Sequence, residues 1–159
     1  FLDLFVANIE PSLQPGFNSL YHNQGDGTFR DVSLESGIAA YRGKGMGVAF
    51  ADYDHDGRPD IFVANDDAPF QLFHNLGGKR FDEVALDSGV AFPENGNVIS
   101  GMGCDFRDLF NKGLPSLWVT AFVHLGTGLL WSWRLGPGTA AALGYAEEAD
   151  IPYETALIR

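Results

Sequence analysis

The stretch Gly45-Met46-Gly47-Val48-Ala49-Phe50-Ala51-Asp52-Tyr53-Asp54-His55-Asp56-Gly57-Arg58-Pro59-Asp60-Ile61-Phe62-Val63-Ala64-Asn65 sets two short apolar runs on either side of an acidic loop. Gly47 to Ala51 and Ile61 to Ala64 are too short for helices and rich in β-forming residues, so they read as strands. Asp66-Asp67-Ala68-Pro69 then turns the chain. Gln71 to His74 and Phe81 to Val84 supply two further strands, parted by Gly77-Gly78. Four short strands with a turn at every joint form the pattern of one propeller blade.

The loop has the chemistry of a Ca2+ site. Calcium takes six to eight oxygen ligands. Asp52, Asp54 and Asp56 stand at loop positions 1, 3 and 5, so alternate carboxylates converge on one side. Gly57 at position 6 permits a sharp turn that a side chain resists. Arg58 at position 7 is expected to offer its backbone carbonyl and leave its guanidinium in solvent, and Asp60 at position 9 closes the shell. Without a cation four carboxylates repel, which couples loop conformation to the ion. An ordinary solvated acidic turn explains neither the spacing nor the flanking strands. An EF-hand needs helices around the loop and a Glu at position 12, where this chain has Val63.

Outward from the loop the sequence repeats. Asp3-Leu4-Phe5-Val6-Ala7-Asn8 returns 57 residues on as Asp60-Ile61-Phe62-Val63-Ala64-Asn65. Tyr21-His22-Asn23, Phe29-Arg30-Asp31-Val32 and Ser36-Gly37-Ile38 return 52 residues on as Phe73-His74-Asn75, Phe81-Asp82-Glu83-Val84 and Ser88-Gly89-Val90. Gly45-Met46-Gly47 and Phe50-Ala51-Asp52 return 56 residues on as Gly101-Met102-Gly103 and Phe106-Arg107-Asp108. Self-similarity at this period marks repeated supersecondary units. The expected organisation is a partial blade at 1–44, a complete blade with the calcium loop at 45–100, the start of a degenerate third repeat at 101–120 and an irregular tail at 121–159. The fold class is therefore all-β, with about two four-stranded antiparallel blades and a degenerate C-terminal end. In the third loop Phe110, Lys112 and Ser116 stand where Asp54, Asp56 and Asp60 stand in the second. That loop is expected to bind no calcium while Gly113 and Pro115 preserve the turn.

Composition bounds the function. The 159 residues are 45 % hydrophobic and 19 % charged, a globular balance with Gly 20 and Phe 13. A net charge of −11, from 21 acidic and 10 basic residues, argues against nucleic-acid binding. The single cysteine, Cys104, excludes an intrachain disulfide and reads as a small core residue in the place of Val48. No apolar run approaches the ~18 residues of a membrane span. Opening on Phe1 in a strand-like segment with no leader-like run, the chain reads as a fragment.

Other candidate chemistry is thin. His22 and His74 recur before Asn, which favours a structural role over catalysis, and Asn23 and Asn75 are expected to cap turns. His55 occupies an outward-facing loop position. Neither a G-x-S-x-G elbow nor a phosphate loop occurs. Trp131 and Trp133 fall in the irregular tail.

GMGVAFADYDHDGRPDIFVAND and LFHNLGGKRFDEVALDSGV resemble the FG-GAP or VCBS-type repeats of integrin α-subunit propellers, most of all the cartilage acidic protein/UnbV-like group. The resemblance covers roughly residues 1–120. It implies calcium held between the first two strands of a blade by Asp52, Asp54, Asp56, Arg58 and Asp60. The function expected is a calcium-stabilised binding or adhesion module of a secreted or cell-surface protein, extracellular or periplasmic, with a protein or carbohydrate ligand and no catalysis. The alternative is part of a propeller-based enzyme, a lyase or hydrolase, whose catalytic residues lie outside these residues.

Overall fold

A computed structural model describes residues 2–10, 14–93, 96–109, 111–113 and 115–122. These residues form an all-β fold of several antiparallel sheets. In chain order the strands are β1 (Leu4–Val6), β2 (Gly16–Phe17), β3 (Ser19–Asn23), β4 (Phe29–Asp31), β5 (Arg42–Gly43), β6 (Gly45–Ala51), β7 (Asp60–Asn65), β8 (Gln71–Gly77), β9 (Arg80–Glu83), β10 (Ser100–Arg107) and β11 (Ser116–Phe122). A 3-10 turn, Ile38–Ala40, is the helical element among the described residues. The sheets run β1-β3-β4, β2-β5, β6-β7-β8-β9 and β10-β11, and among the described residues they do not close into a ring or barrel.

The expected four-strand unit is present as β6 to β9. Its central strand β7 is buried along its whole length. Alternation sends its side chains to two cores. Ile61 and Val63 face Leu20, Val32, Ile38 and Phe73, towards the β1-β3-β4 sheet. Phe62 and Ala64 face Ala49, Phe70, Leu72, Phe106, Leu117 and Val119, towards β10 and β11. Two packed faces explain why DIFVAN reads as an unbroken apolar run, Ile61 to Ala64, between its two polar ends. Each fully buried side chain such as Phe62 or Leu72 contributes about 1.5–3 kcal/mol by transfer from water.

Repetition in sequence is repetition in register. Leu4, Phe5 and Val6 pair with Tyr21, Leu20 and Ser19. Their counterparts Ile61, Phe62 and Val63 pair with Phe73, Leu72 and Gln71 in the same order. His22 lies opposite Arg30 as His74 lies opposite Asp82. The aromatic contact between neighbouring units repeats as well. Phe5 meets Phe50 edge-on at 6.4 Å and 86°, and Phe62 meets Phe106 at 6.3 Å and 84°.

Gly45-Met46-Gly47 opens β6 where another strand comes close, as its glycines imply. A Cβ on Gly47 would stand 2.7 Å from the Cα of Gly103 on β10, so this crossing requires glycine. The sequence carries no signal for β2 and β5, because two-residue strands have no periodicity. The expected irregular tail lies outside the described residues, as do Trp131 and Trp133, except that Ala121 and Phe122 end β11.

Candidate metal centre

Asp52 to Pro59 connect β6 to β7, and the loop is wound by its own carboxylates. Asp52 Oδ1 accepts from the Asp56 N–H at 2.9 Å and Oδ2 from the Gly57 N–H at 2.8 Å. Asp54 Oδ1 accepts from the Asp56 N–H at 3.3 Å, and Asp56 Oδ1 from the Arg58 N–H at 2.9 Å. Gly57 has φ 85°, as a sharp turn needs, and His55 is also left-handed at φ 63°. His55 is exposed, in line with its outward-facing position.

The loop ends on a buried anchor. Asp60, the first residue of β7, is 0 % exposed. Its Oδ1 accepts from the Asn75 N–H at 2.8 Å and faces His74 Nδ1 at 3.2 Å, while Oδ2 accepts from the Tyr53 N–H at 3.2 Å. Burial pushes the Asp60 carboxyl up, against the opposing pull of the Asn75 and Tyr53 N–H bonds. Burial likewise pushes the Tyr53 hydroxyl up, with the charges of Asp60 and Asp54 adding to it.

Two overlapping clusters result. Carboxylate oxygens of Asp52, Asp54 and Asp60 lie within 4.8 Å of one another, and ligand atoms of Asp54, Asp56 and His74 do the same. Three of the five expected site residues, Asp52, Asp54 and Asp60, are brought together in one cluster, and Asp56 lies with Asp54 and His74 in the other. Oxygen donors converging around a fully buried carboxylate fit a hard divalent cation.

Arg58 departs from expectation. Its guanidinium does not stand free in solvent. Nε donates to the Asn75 carbonyl at 2.7 Å, and the terminal nitrogen pairs with Asp56 Oδ2. A carboxylate two residues upstream is simply the nearest partner for a cation on a tight turn.

His74 was legible as structural, and the structure supplies the contacts. In the first repeat Asp3 Oδ1 meets His22 Nδ1 at 2.8 Å and the Asn23 N–H at 2.9 Å, the pattern that Asp60 makes with His74 and Asn75. The asparagines cap turns as expected: Asn23 Oδ1 accepts from Gly25 N–H and Asn75 Oδ1 from Gly77 N–H. What the dipeptide did not reveal is that His74 Nδ1 also stands 3.4 Å from Asp54 Oδ2, at the rim of the metal cluster. The shared recurrence of Asp3/Asp60 and His22/His74 is the signal that joins them.

The third loop keeps the turn after losing three of its four carboxylates. Asp108 Oδ1 accepts from Lys112 N–H at 3.0 Å and Oδ2 from Gly113 N–H at 2.7 Å, as Asp52 does with Asp56 and Gly57. Asn111 and Gly113 are left-handed at φ 51° and 73°, as are His55 and Gly57. The carboxylate at position 1 therefore winds this loop whether or not the other acids are present.

Repeated antiparallel sheets, one of them with an acidic loop between its first two strands, make this a β-repeat protein. The FG-GAP-like repeat model matches residues 1–63 and 52–119, and the chain belongs to that family. It is similar to cartilage acidic protein 1 of Homo sapiens, 37 % identical over 86 residues, which is 52 % of this chain and 12 % of that protein. The Xenopus tropicalis cartilage acidic protein 1 is 40 % identical over 86 residues, again 12 % of its length. The aligned part of this chain is thus a small portion of those relatives. Among the described residues no helix is long and apolar enough to cross a membrane.

Proposed function

We propose that this chain is a calcium-stabilised run of β-propeller blades belonging to a binding or adhesion protein that works outside the cell or at its surface. The observation that carries it is the convergence of Asp52, Asp54 and Asp60 between two strands, with Asp60 fully buried. The blades are residues 1–44, 45–100 and, in part, 101–120. Asp52, Asp54, Asp56 and Asp60 hold the ion with side-chain oxygens, and Arg58 adds its carbonyl. The cation competes with the Arg58 guanidinium for Asp56.

Calcium here is structural. It neutralises the repulsion among the acids and fixes the β6–β7 hairpin, and it performs no chemistry. The third loop makes the same turn on hydrogen bonds alone once its other acids are gone, so the repulsion among the acids of the second loop is what the ion offsets. The similarity to cartilage acidic protein 1 supports an extracellular setting, and a protein or carbohydrate is the ligand class we assign to the assembled blades. The reading is tested by isothermal titration with calcium and with magnesium. One calcium per chain is expected, bound at least tenfold tighter than magnesium and lost in Asp54→Ala. Equal affinity for both ions, or binding that survives Asp54→Ala, would refute it.

A further inference from the structure

Asp54 is the least tightly held of the loop carboxylates. Asp52 takes the Asp56 and Gly57 N–H groups, and Asp60 takes those of Asn75 and Tyr53. Asp56 takes the Arg58 N–H at 2.9 Å. Within the loop Asp54 has only a long bond, from Oδ1 to the Asp56 N–H at 3.3 Å. Its Oδ2 looks out of the loop to His74 Nδ1 at 3.4 Å, and that same nitrogen faces Asp60 Oδ1 at 3.2 Å. Ionised carboxylates accept and do not donate, so the nitrogen between them is the donor.

The ring that offers this hydrogen is itself fixed. His74 belongs to β8, which pairs with β7 beside the loop, and it stands edge-on to Tyr53 at 5.9 Å and 68°. The first repeat shows the same pair with a single acid. Among the described residues His22 Nδ1 meets Asp3 at the closer distance of 2.8 Å. In the second repeat the ring is drawn between two carboxylates, from loop positions 3 and 9.

We propose that His74 is a positioning residue of the metal loop. Its Nδ1–H, shared between Asp60 Oδ1 and Asp54 Oδ2, ties the loosest carboxylate to the buried one and presets the oxygens that receive the cation. Groups that orient ligands from outside the loop add to metal affinity by this means. Fixing Asp54 against Asp60 also limits how far the oxygens can close, which favours calcium over magnesium with its shorter bonds. The effect on ions rests on the proposed calcium site, whereas the shared hydrogen does not.

The test compares the full native chain with His74→Phe, His74→Asn and His22→Phe. Phenylalanine keeps the packing against Tyr53 and loses the hydrogen, while asparagine can offer an amide hydrogen from the same δ position. In isothermal titration His74→Phe should bind calcium about tenfold more weakly and magnesium less than about threefold more weakly. His74→Asn should stay within about threefold of native for calcium. His22→Phe should leave calcium binding unchanged. In chelator at about pH 8, above the ordinary imidazole range, long-range proton–nitrogen NMR should show a hydrogen on His74 Nδ1. The Asp56 amide should exchange faster in His74→Phe alone. The proposal is overturned by a bare Nδ1, by native calcium affinity or equal losses for both ions in His74→Phe, or by as large a loss in His74→Asn or His22→Phe. A native chain that binds neither ion would refute the calcium site, and the chelator measurements would still decide whether His74 ties Asp54 to Asp60.

Discussion

Replacing Phe62 by alanine removes the side chain on which two sheets meet. Phe62 is 0 % exposed, and its ring lies 5.7 Å from Phe70 and 6.3 Å from Phe106, edge-on to both. Lost transfer energy is about 1.5–3 kcal/mol, and each aromatic pair adds about 0.5–1.5 kcal/mol. A total of about 3–5 kcal/mol agrees with what large-to-small changes cost in buried cores. Phe50→Ala is the control. That ring is 56 % exposed and has one aromatic contact, with Phe5, so the loss should be about 1 kcal/mol.

Urea unfolding followed by circular dichroism reads the difference. With a slope of about 1–3 kcal/mol per molar, a 4 kcal/mol loss moves the midpoint down by roughly 1.5–4 M. Should Phe62→Ala leave no folded baseline, Phe62→Leu against Phe50→Leu gives the same ordering on a smaller scale. Equal losses at the two positions, or a larger loss at Phe50, would refute a shared core between β7 and β10.

Three further outcomes follow from the same geometry. Gly47→Ala should cost about 1–3 kcal/mol, because its methyl group meets the Gly103 backbone; an unchanged urea midpoint would contradict the close crossing of β6 and β10. Burial pushes the Cys104 thiol up to about 11, so at pH 8 its reaction with iodoacetamide should run roughly 100-fold slower than that of a free cysteine peptide and keep rising about tenfold per pH unit until it levels off near pH 11. In chelator, Asp60→Asn should cost about 1–3 kcal/mol, because its amide oxygen can still accept from Asn75 but its amide nitrogen cannot accept from the Tyr53 N–H; in calcium the same variant should also lose the whole increment that the ion supplies.

The repeated strands were legible because two independent signals agree. Short β-rich runs bounded by turn residues gave β6 to β9, and the recurrences of Asp3-Leu4-Phe5 and Tyr21-His22-Asn23 gave the matching β1, β3 and β4. The acidic loop was legible for the same kind of reason, since the spacing of Asp52, Asp54, Asp56, Gly57 and Asp60 is fixed by backbone geometry close at hand. Contacts that depend on chain segments meeting at a distance left no such trace. The Arg58 guanidinium bonds to the Asn75 carbonyl only because β8 returns beside the loop. His74 reaches Asp54 by that same return. Gly47 was visible as a glycine, but that it makes room for the Gly103 backbone appears only when β6 and β10 are laid side by side.

The most direct measurement is thermal unfolding of the chain across a calcium titration, beside the Asp54→Ala/Asp56→Ala double variant. At a free calcium concentration ~100-fold above the dissociation constant, the native chain should gain about 2.7 kcal/mol, an increase in Tm of roughly 5–11 °C for a chain of this size. The double variant should show no increase. A native Tm that stays fixed through millimolar calcium, or an equal increase in the double variant, would contradict a structural calcium site in this loop.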